Sequence, residues 1–297
     1  MSDTLSPERI IDPQALRDWP LPAHAGDGDK EDRGSTLVIA GSREMAGAAI
    51  LASTAALRAG AGKLMIATAA SLARTLSVAM PEARVIALAE TLDGGFATEG
   101  AARLVPFAAR ADAVLVGPGM LDEPASRAFV RALLPALVPL RTSVILDAMA
   151  MSVVIGQPRF ERPVLLTPHA GEMAHLTGIA KEDILADPLQ AAQEAAVLWN
   201  AVVALKGART VIATPDGRWW QHEGGNVGLA TSGSGDTLAG IITGLAARGA
   251  PLEQASAWGV ALHAAAGVTL AERFGTLGYL ARELSPEVPA LMQAWCA

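Results

Sequence analysis

Short runs of consecutive apolar residues recur along this chain of 297 residues, separated by stretches with helical apolar spacing. The runs predict strands over 36–40, 63–68, 84–88, 113–117, 143–147, 164–167, 201–205 and 210–214. The intervening pattern predicts helices over 45–59, 71–80, 99–109, 124–137, 171–176, 188–199, 236–248 and 253–273. A strand that is apolar at every position is covered on both faces. Its alternation with helices implies an α/β fold: a mainly parallel, doubly wound central sheet with helices on both faces. The connection between 201–205 and 210–214 is short, which suits an antiparallel edge hairpin and a mixed sheet. Residues 1–33, with prolines and the polar run 26–33, read as an N-terminal arm, and 34–297 as one domain.

Composition bounds the partners. Apolar residues make up 51% and charged residues 18%, enough for a substantial core. Alanine and glycine are abundant and aromatics are 4%, so the helices are expected to pack closely on the sheet. The net charge of −7, with no basic run, argues against nucleic acid. The only cysteine, Cys296, excludes an internal disulfide framework and a thiolate zinc site, and fits a reducing cytoplasm. Residues 1–17 lack the apolar core of a signal peptide. The uncharged stretch 254–271 contains Gln254, Ser256, Trp258 and His263, and reads as a buried or interface helix, not a membrane span.

In doubly wound sheets ligands bind beyond the carboxyl ends of the strands. The distinctive residues fall there: Gly41-Ser42, Gly117-Pro118-Gly119, Asp147, Thr167-Pro168-His169 and Lys206-Gly207. The most informative segment is 224–240, a glycine-rich loop that opens the helix carrying Leu238, Ile241, Ile242 and Leu245 on one buried stripe. Arg248, Gly249 and Pro251 end that helix. A helix N-terminus offers free N–H groups and a partial positive charge to an anion, phosphate above all. Gly233 and Gly235 allow close backbone approach. Asp236 at the junction is either a helix cap or, beside an anion hole formed by Gly233, Ser234 and Gly235, a base for an attacking hydroxyl.

Common nucleotide motifs fail. Gly62-Lys63 lacks the Walker spacing, and Gly117 and Gly119 are followed by Asp122 where the dinucleotide fingerprint needs glycine. Lys206, Gly207, Ala208, Arg209 and Thr210 place two cations in a tight turn, suited to phosphate oxygens or to an ordinary charged hairpin. His169 either contacts substrate or caps the next helix; Glu172 favours that helix's dipole. Asp147 either holds magnesium through water or anchors a strand end. Trp219-Trp220 read as core or subunit contacts, and no histidine pair has metal-ligand spacing, so no metal ligand is assigned.

Six segments together resemble one family. They are 38–49, 55–62, 116–119, 166–173 (Leu-Thr-Pro-His-Ala-Gly-Glu-Met), 205–210 and 226–236 (Asn-Val-Gly-Leu-Ala-Thr-Ser-Gly-Ser-Gly-Asp). From about residue 30 to its end the chain resembles the ADP-dependent (S)-NAD(P)H-hydrate dehydratases of the ribokinase-like superfamily. The resemblance implies a repair enzyme, a hydro-lyase acting on NADH or NADPH hydrated on the nicotinamide ring. ADP, or ATP in some relatives, phosphorylates the ring hydroxyl and phosphate then leaves. It implies Asp236 as the base and Gly233, Ser234 and Gly235 as the anion hole. Lys206, Gly207, Ala208, Arg209, Thr210 and Gly235 would hold the nucleotide, and Ala46, Gly119, His169 and Asp236 the hydrated cofactor. Magnesium and a homotetramer are further implications.

The chain departs from the family pattern in carrying Met149 where an aspartate is usual, Val227 where proline is usual, and Ser232 in place of a glycine. The sequence leaves no room for the epimerase domain often fused ahead of this one, so a partner epimerase is expected as a separate chain. Two other readings share the motifs: a kinase of the same superfamily acting on a vitamin-precursor alcohol, and a non-catalytic nucleotide-binding subunit.

Overall fold

The computed structural model describes residues 10–23, 31–156 and 159–296. Much of the polar run 26–33 lies outside the described residues. Nine strands form one sheet in the order β3-β2-β1-β4-β5-β6-β7-β8-β9. They are β1 (Ser35–Ile39), β2 (Lys63–Ala69), β3 (Ala83–Leu88), β4 (Ala113–Val116), β5 (Ser143–Leu146), β6 (Leu165–Leu166), β7 (Val202–Leu205), β8 (Arg209–Ala213) and β9 (Trp219–Glu223). The first seven are parallel; β8 and β9 are antiparallel to their neighbours. The sheet is therefore mixed, with the hairpin that the short connection after 205 suggests.

Side-chain alternation builds two cores. Leu37 and Ile39 of β1 join Val114, Val116, Leu146 and Val203 on one face. Val38 and Ala40 join Leu115, Ile145, Leu165 and Ile212 on the other. The first face is covered by α4 (Gly100–Ala108), α5 (Glu123–Leu137), α6 (Ala170–Thr177) and α8 (Pro188–Trp199). The second is covered by α2 (Ala46–Arg58), α3 (Ala73–Ala79), α9 (Ser234–Ala247) and α10 (Leu252–Phe274). Leu238, Ile241, Ile242 and Leu245 are all buried, as their spacing predicts. Small residues let α9 press on α2: a Cβ on Gly240 would overlap the Ala52 carbonyl, and one on Gly244 the Ala56 carbonyl. This is the close packing that an alanine- and glycine-rich composition favours.

Some elements have no counterpart in the sequence reading: α1 (Pro13–Asp18), α7 (Lys181–Ala186), α11 (Ala281–Cys296), β9 and a 3₁₀ turn over Ala148–Val154. α1 starts on an Asp12 cap and buries Leu16, while Trp19 stacks on Trp220 of β9 at 5.1 Å. α10 is buried along most of its length, and no helix among the described residues is long and apolar enough to cross a membrane.

Candidate active site

The chain turns from β1 to the β2–β3 side and returns at β4 on the other, so the switch point of the sheet lies between β1 and β4. At the carboxyl ends of these strands opens a cleft of ≈ 410 Å³. Met45, Gly119, Met149, His169, Glu172 and Asp236 are among its walls. Gly119 takes φ 65°, and a Cβ there would come 2.7 Å from that of Ala48, so only glycine fits this turn. Ala46 begins α2 beside the cleft, while the lining side chain is its neighbour Met45.

Asp236 enters from α9. The helix begins at Ser234, two residues earlier than its apolar stripe suggests, because Gly233 at φ 87° serves as its N-cap. Asp236 is thus in the first turn and is not the cap. The Ser234 N–H is directed to the Thr231 carbonyl at 3.2 Å, and the N–H groups of Gly235 and Asp236 find no acceptor among the described residues. That end of the helix is open to an anion. Burial pushes the Asp236 carboxyl up to about 6; nearby Asp147 adds to this and Lys206 opposes it.

Beneath Asp236 lies a charged cluster held by strand ends. Asp147, just past β5, accepts from the Thr167 hydroxyl at 2.6 Å and from the Lys206 ammonium at 3.3 Å. Glu172 stands 3.7 Å from the same ammonium. Burial alone would lower Lys206, but Asp147, Glu172 and Asp236 outweigh it and its pKa is raised. The Lys206 cation is therefore committed to the cluster, and its Nζ lies beside Gly235. The rest of the turn is more peripheral: Arg209 pairs with Glu223 at 3.1 Å, and the Thr210 hydroxyl closes the turn on Gly207.

His169 both caps α6 and faces the cleft. Its Nδ1 accepts from the backbone N–H of Gly171 and Glu172 at 3.0 and 3.1 Å, while the His169 backbone N–H donates to Glu172 Oε2 at 2.8 Å. With Nδ1 spent, the neutral ring carries its hydrogen on Nε2 and offers a donor. The two alternatives for His169 are thus compatible.

Three features escape a reading of sequence. Ala148, next to Asp147 and part of the cleft wall, holds φ 47°, a left-handed backbone without glycine. Ser234 meets buried His263 of α10 at 3.0 Å, from 29 residues away. Burial pulls His263 down to about 4, so it is neutral. His175 contacts Glu123 at 3.0 Å on the cleft rim. Only the three-residue spacing of Glu172 and His175, which puts both on one face of α6, hints at the last.

Residues 36–290 match the model of the NAD(P)H-hydrate dehydratase family. The chain belongs to that family. Its relatives include an ADP-dependent (S)-NAD(P)H-hydrate dehydratase of Xanthomonas campestris, 47% identical over 96% of both chains. A bifunctional NAD(P)H-hydrate repair enzyme of Moorella thermoacetica is 38% identical over 92% of this chain and 52% of its own, so the chain spans about half of such relatives. Among solved structures, the ADP/ATP-dependent dehydratase of Bacillus subtilis, co-crystallized with ATP and magnesium, is 31% identical, covers 96% of this chain and 98% of its own, and superposes with a TM-score of 0.82. The ribokinase-like architecture expected of this dehydratase family is therefore the one observed.

Proposed function

We propose that the chain dehydrates (S)-NADH or (S)-NADPH hydrate to the reduced cofactor, with ADP as phosphoryl donor and AMP and phosphate as products. The observation that carries this reading is Asp236, a carboxyl held near 6 by burial beside open backbone N–H groups. A base poised close to neutral pH accepts a hydroxyl proton efficiently. Charge on the phosphoryl group in flight is met at the start of α9 by Gly233 and Gly235, with the Asp236 N–H beside them; the Ser234 N–H, expected to join them, is directed instead to the Thr231 carbonyl. Lys206, Gly207, Ala208, Arg209 and Thr210, with Gly235, hold the nucleotide; Ala46, Gly119 and His169 hold the hydrated cofactor.

No group of three or more His, Cys, Asp or Glu among the described residues is placed to cage a metal. Asp147 brings a hard carboxylate oxygen to the cluster, which suits a magnesium ion shared with nucleotide phosphates and met through water. When bound, the ion neutralises charge on those phosphates. ATP serves as an alternative donor. The same reading carries a cytoplasmic homotetramer.

A kinase of this fold would leave a stable phosphorylated alcohol, whereas the dehydratase regenerates a 340 nm absorber. Hydrated NADH or NADPH is therefore mixed with magnesium and ADP, then ATP, beside a control without nucleotide. We expect a nucleotide-dependent rise at 340 nm with AMP formed from ADP. Folded protein that gives no rise, but phosphorylates an alcohol in an acceptor screen, would be a kinase.

A further inference from the structure

Dehydration breaks a carbon–oxygen bond on the ring and a carbon–hydrogen bond on the neighbouring ring carbon. Asp236 accounts for the protons at oxygen alone. The hydroxyl oxygen attacks the β-phosphorus of ADP, the bond to AMP breaks, and the hydroxyl proton passes to Asp236. That same oxygen later departs with the phosphoryl group. Asp236, still facing it, returns the proton, and the group leaves as hydrogen phosphate. Asp236 is thus protonated when the C–H bond must break, and a second group is needed to take that hydrogen as a proton.

The other titratable side chains lining the cleft are Glu123, His169, Glu172 and His175. His169 spends its Nδ1 lone pair on the α6 cap. Glu172 accepts from the His169 backbone N–H and pairs with Lys206. Glu123, at the start of α5, holds Arg127 on one oxygen and His175 on the other. His175 remains. Its Nε2 lies 3.0 Å from Glu123 Oε2, and a carboxylate only accepts, so Nε2 carries the hydrogen. In the neutral ring Nδ1 is then a bare lone pair, with no hydrogen-bond partner among the described residues. A base whose far nitrogen is held by a carboxylate is the arrangement that orients an imidazole and stabilises its cation. The His175 side chain is 58% exposed, so an accepted proton passes on to water.

We propose that His175, oriented by Glu123, accepts the ring C–H proton in the elimination step; this rests on the dehydratase reading above. The C–H electron pair becomes the ring double bond, the C–O pair leaves on phosphate, and the proton goes to His175 Nδ1. Over the cycle Asp236 ends as it began, and the one proton released leaves through His175.

The test is a single turnover with hydrated NADH, magnesium and ADP, following AMP by quench and reduced cofactor at 340 nm. In wild-type protein the two should rise together. In His175→Gln, AMP should form at nearly the wild-type rate while the 340 nm rise slows by about tenfold or more. Phosphorylated hydrate should accumulate, and added imidazole should restore the rise. Glu123→Gln should slow the same step to a lesser degree. If absorbance keeps pace with AMP in His175→Gln, whether both are fast or both slow, the proposal is overturned. Wild-type protein that forms neither product would remove the dehydratase reading with it.

Discussion

Asp236 shows how a residue near the end of a helix becomes reactive. Its carboxyl rises from 3.8 to about 6 because burial disfavours the charge and Asp147 repels it. As a base it works when ionised, so turnover should climb with pH through about 6 and then level. Stability has the opposite sense. Between 3.8 and 6 the folded chain holds a proton that the unfolded chain has lost, so this group's contribution falls as pH rises across that window. Asp236→Asn should therefore lose about 10²–10⁴-fold in kcat yet melt no lower than wild type at pH 8. A variant that melts lower and keeps its turnover would contradict both halves. His263 is the mirror case. Its pKa falls from 6.5 to about 4, so the unfolded state binds more protons within that window and stability is lost as pH drops through it. Urea unfolding at pH 7.5 and pH 5 should separate by up to about 2 kcal/mol less in His263→Asn than in wild type. An unchanged difference would show that His263 does not carry the acid sensitivity.

At the scale of elements, the placement of α9 depends on absent side chains. Gly240 and Gly244 bring its backbone against the carbonyls of Ala52 and Ala56 in α2. Gly240→Ala should destabilise by about 1–3 kcal/mol or more, since a methyl has nowhere to go in a packed crossing. Gly47→Ala, where the added methyl meets nothing within 4 Å, should be neutral or stabilising by about 0.5–1 kcal/mol. Thermal melts of the two variants compare the positions directly; equal effects would mean that the crossing has slack. The elements legible in sequence were those with a strong period: uniformly apolar strands, and helices with a clear stripe such as 238–245. α11 hid because Pro286 and Pro289 read as helix breakers, although Leu284 and Val288 supply a buried face. β9 hid because Trp219 and Trp220 are both buried on a strand that ends in polar residues, so neither alternation nor an apolar run announces it. The turn Thr214-Pro215-Asp216-Gly217, with Gly217 at φ 88°, was the available signal.

For the whole molecule, topology explains which parts of the site the sequence discloses. Parallel strands deliver their carboxyl ends to one rim, so Gly119, Asp147, His169 and Lys206 converge although they are far apart in the chain. Each could be picked out because each interrupts an apolar run. Contacts between helices leave no such mark: Ser234 with His263, or Glu123 with His175 across 52 residues, depend on how helices stack on the sheet. The close crossing of α9 on α2 also divides the cleft into unequal halves. The wall bearing the carboxylate is locked to α2 backbone to backbone, while other walls of the cleft are built from side chains, among them Met45, Met149 and those of α6. New acceptors can therefore be fitted at Met45 and Met149, which the chemistry does not use, with Asp236 and His175 left in place.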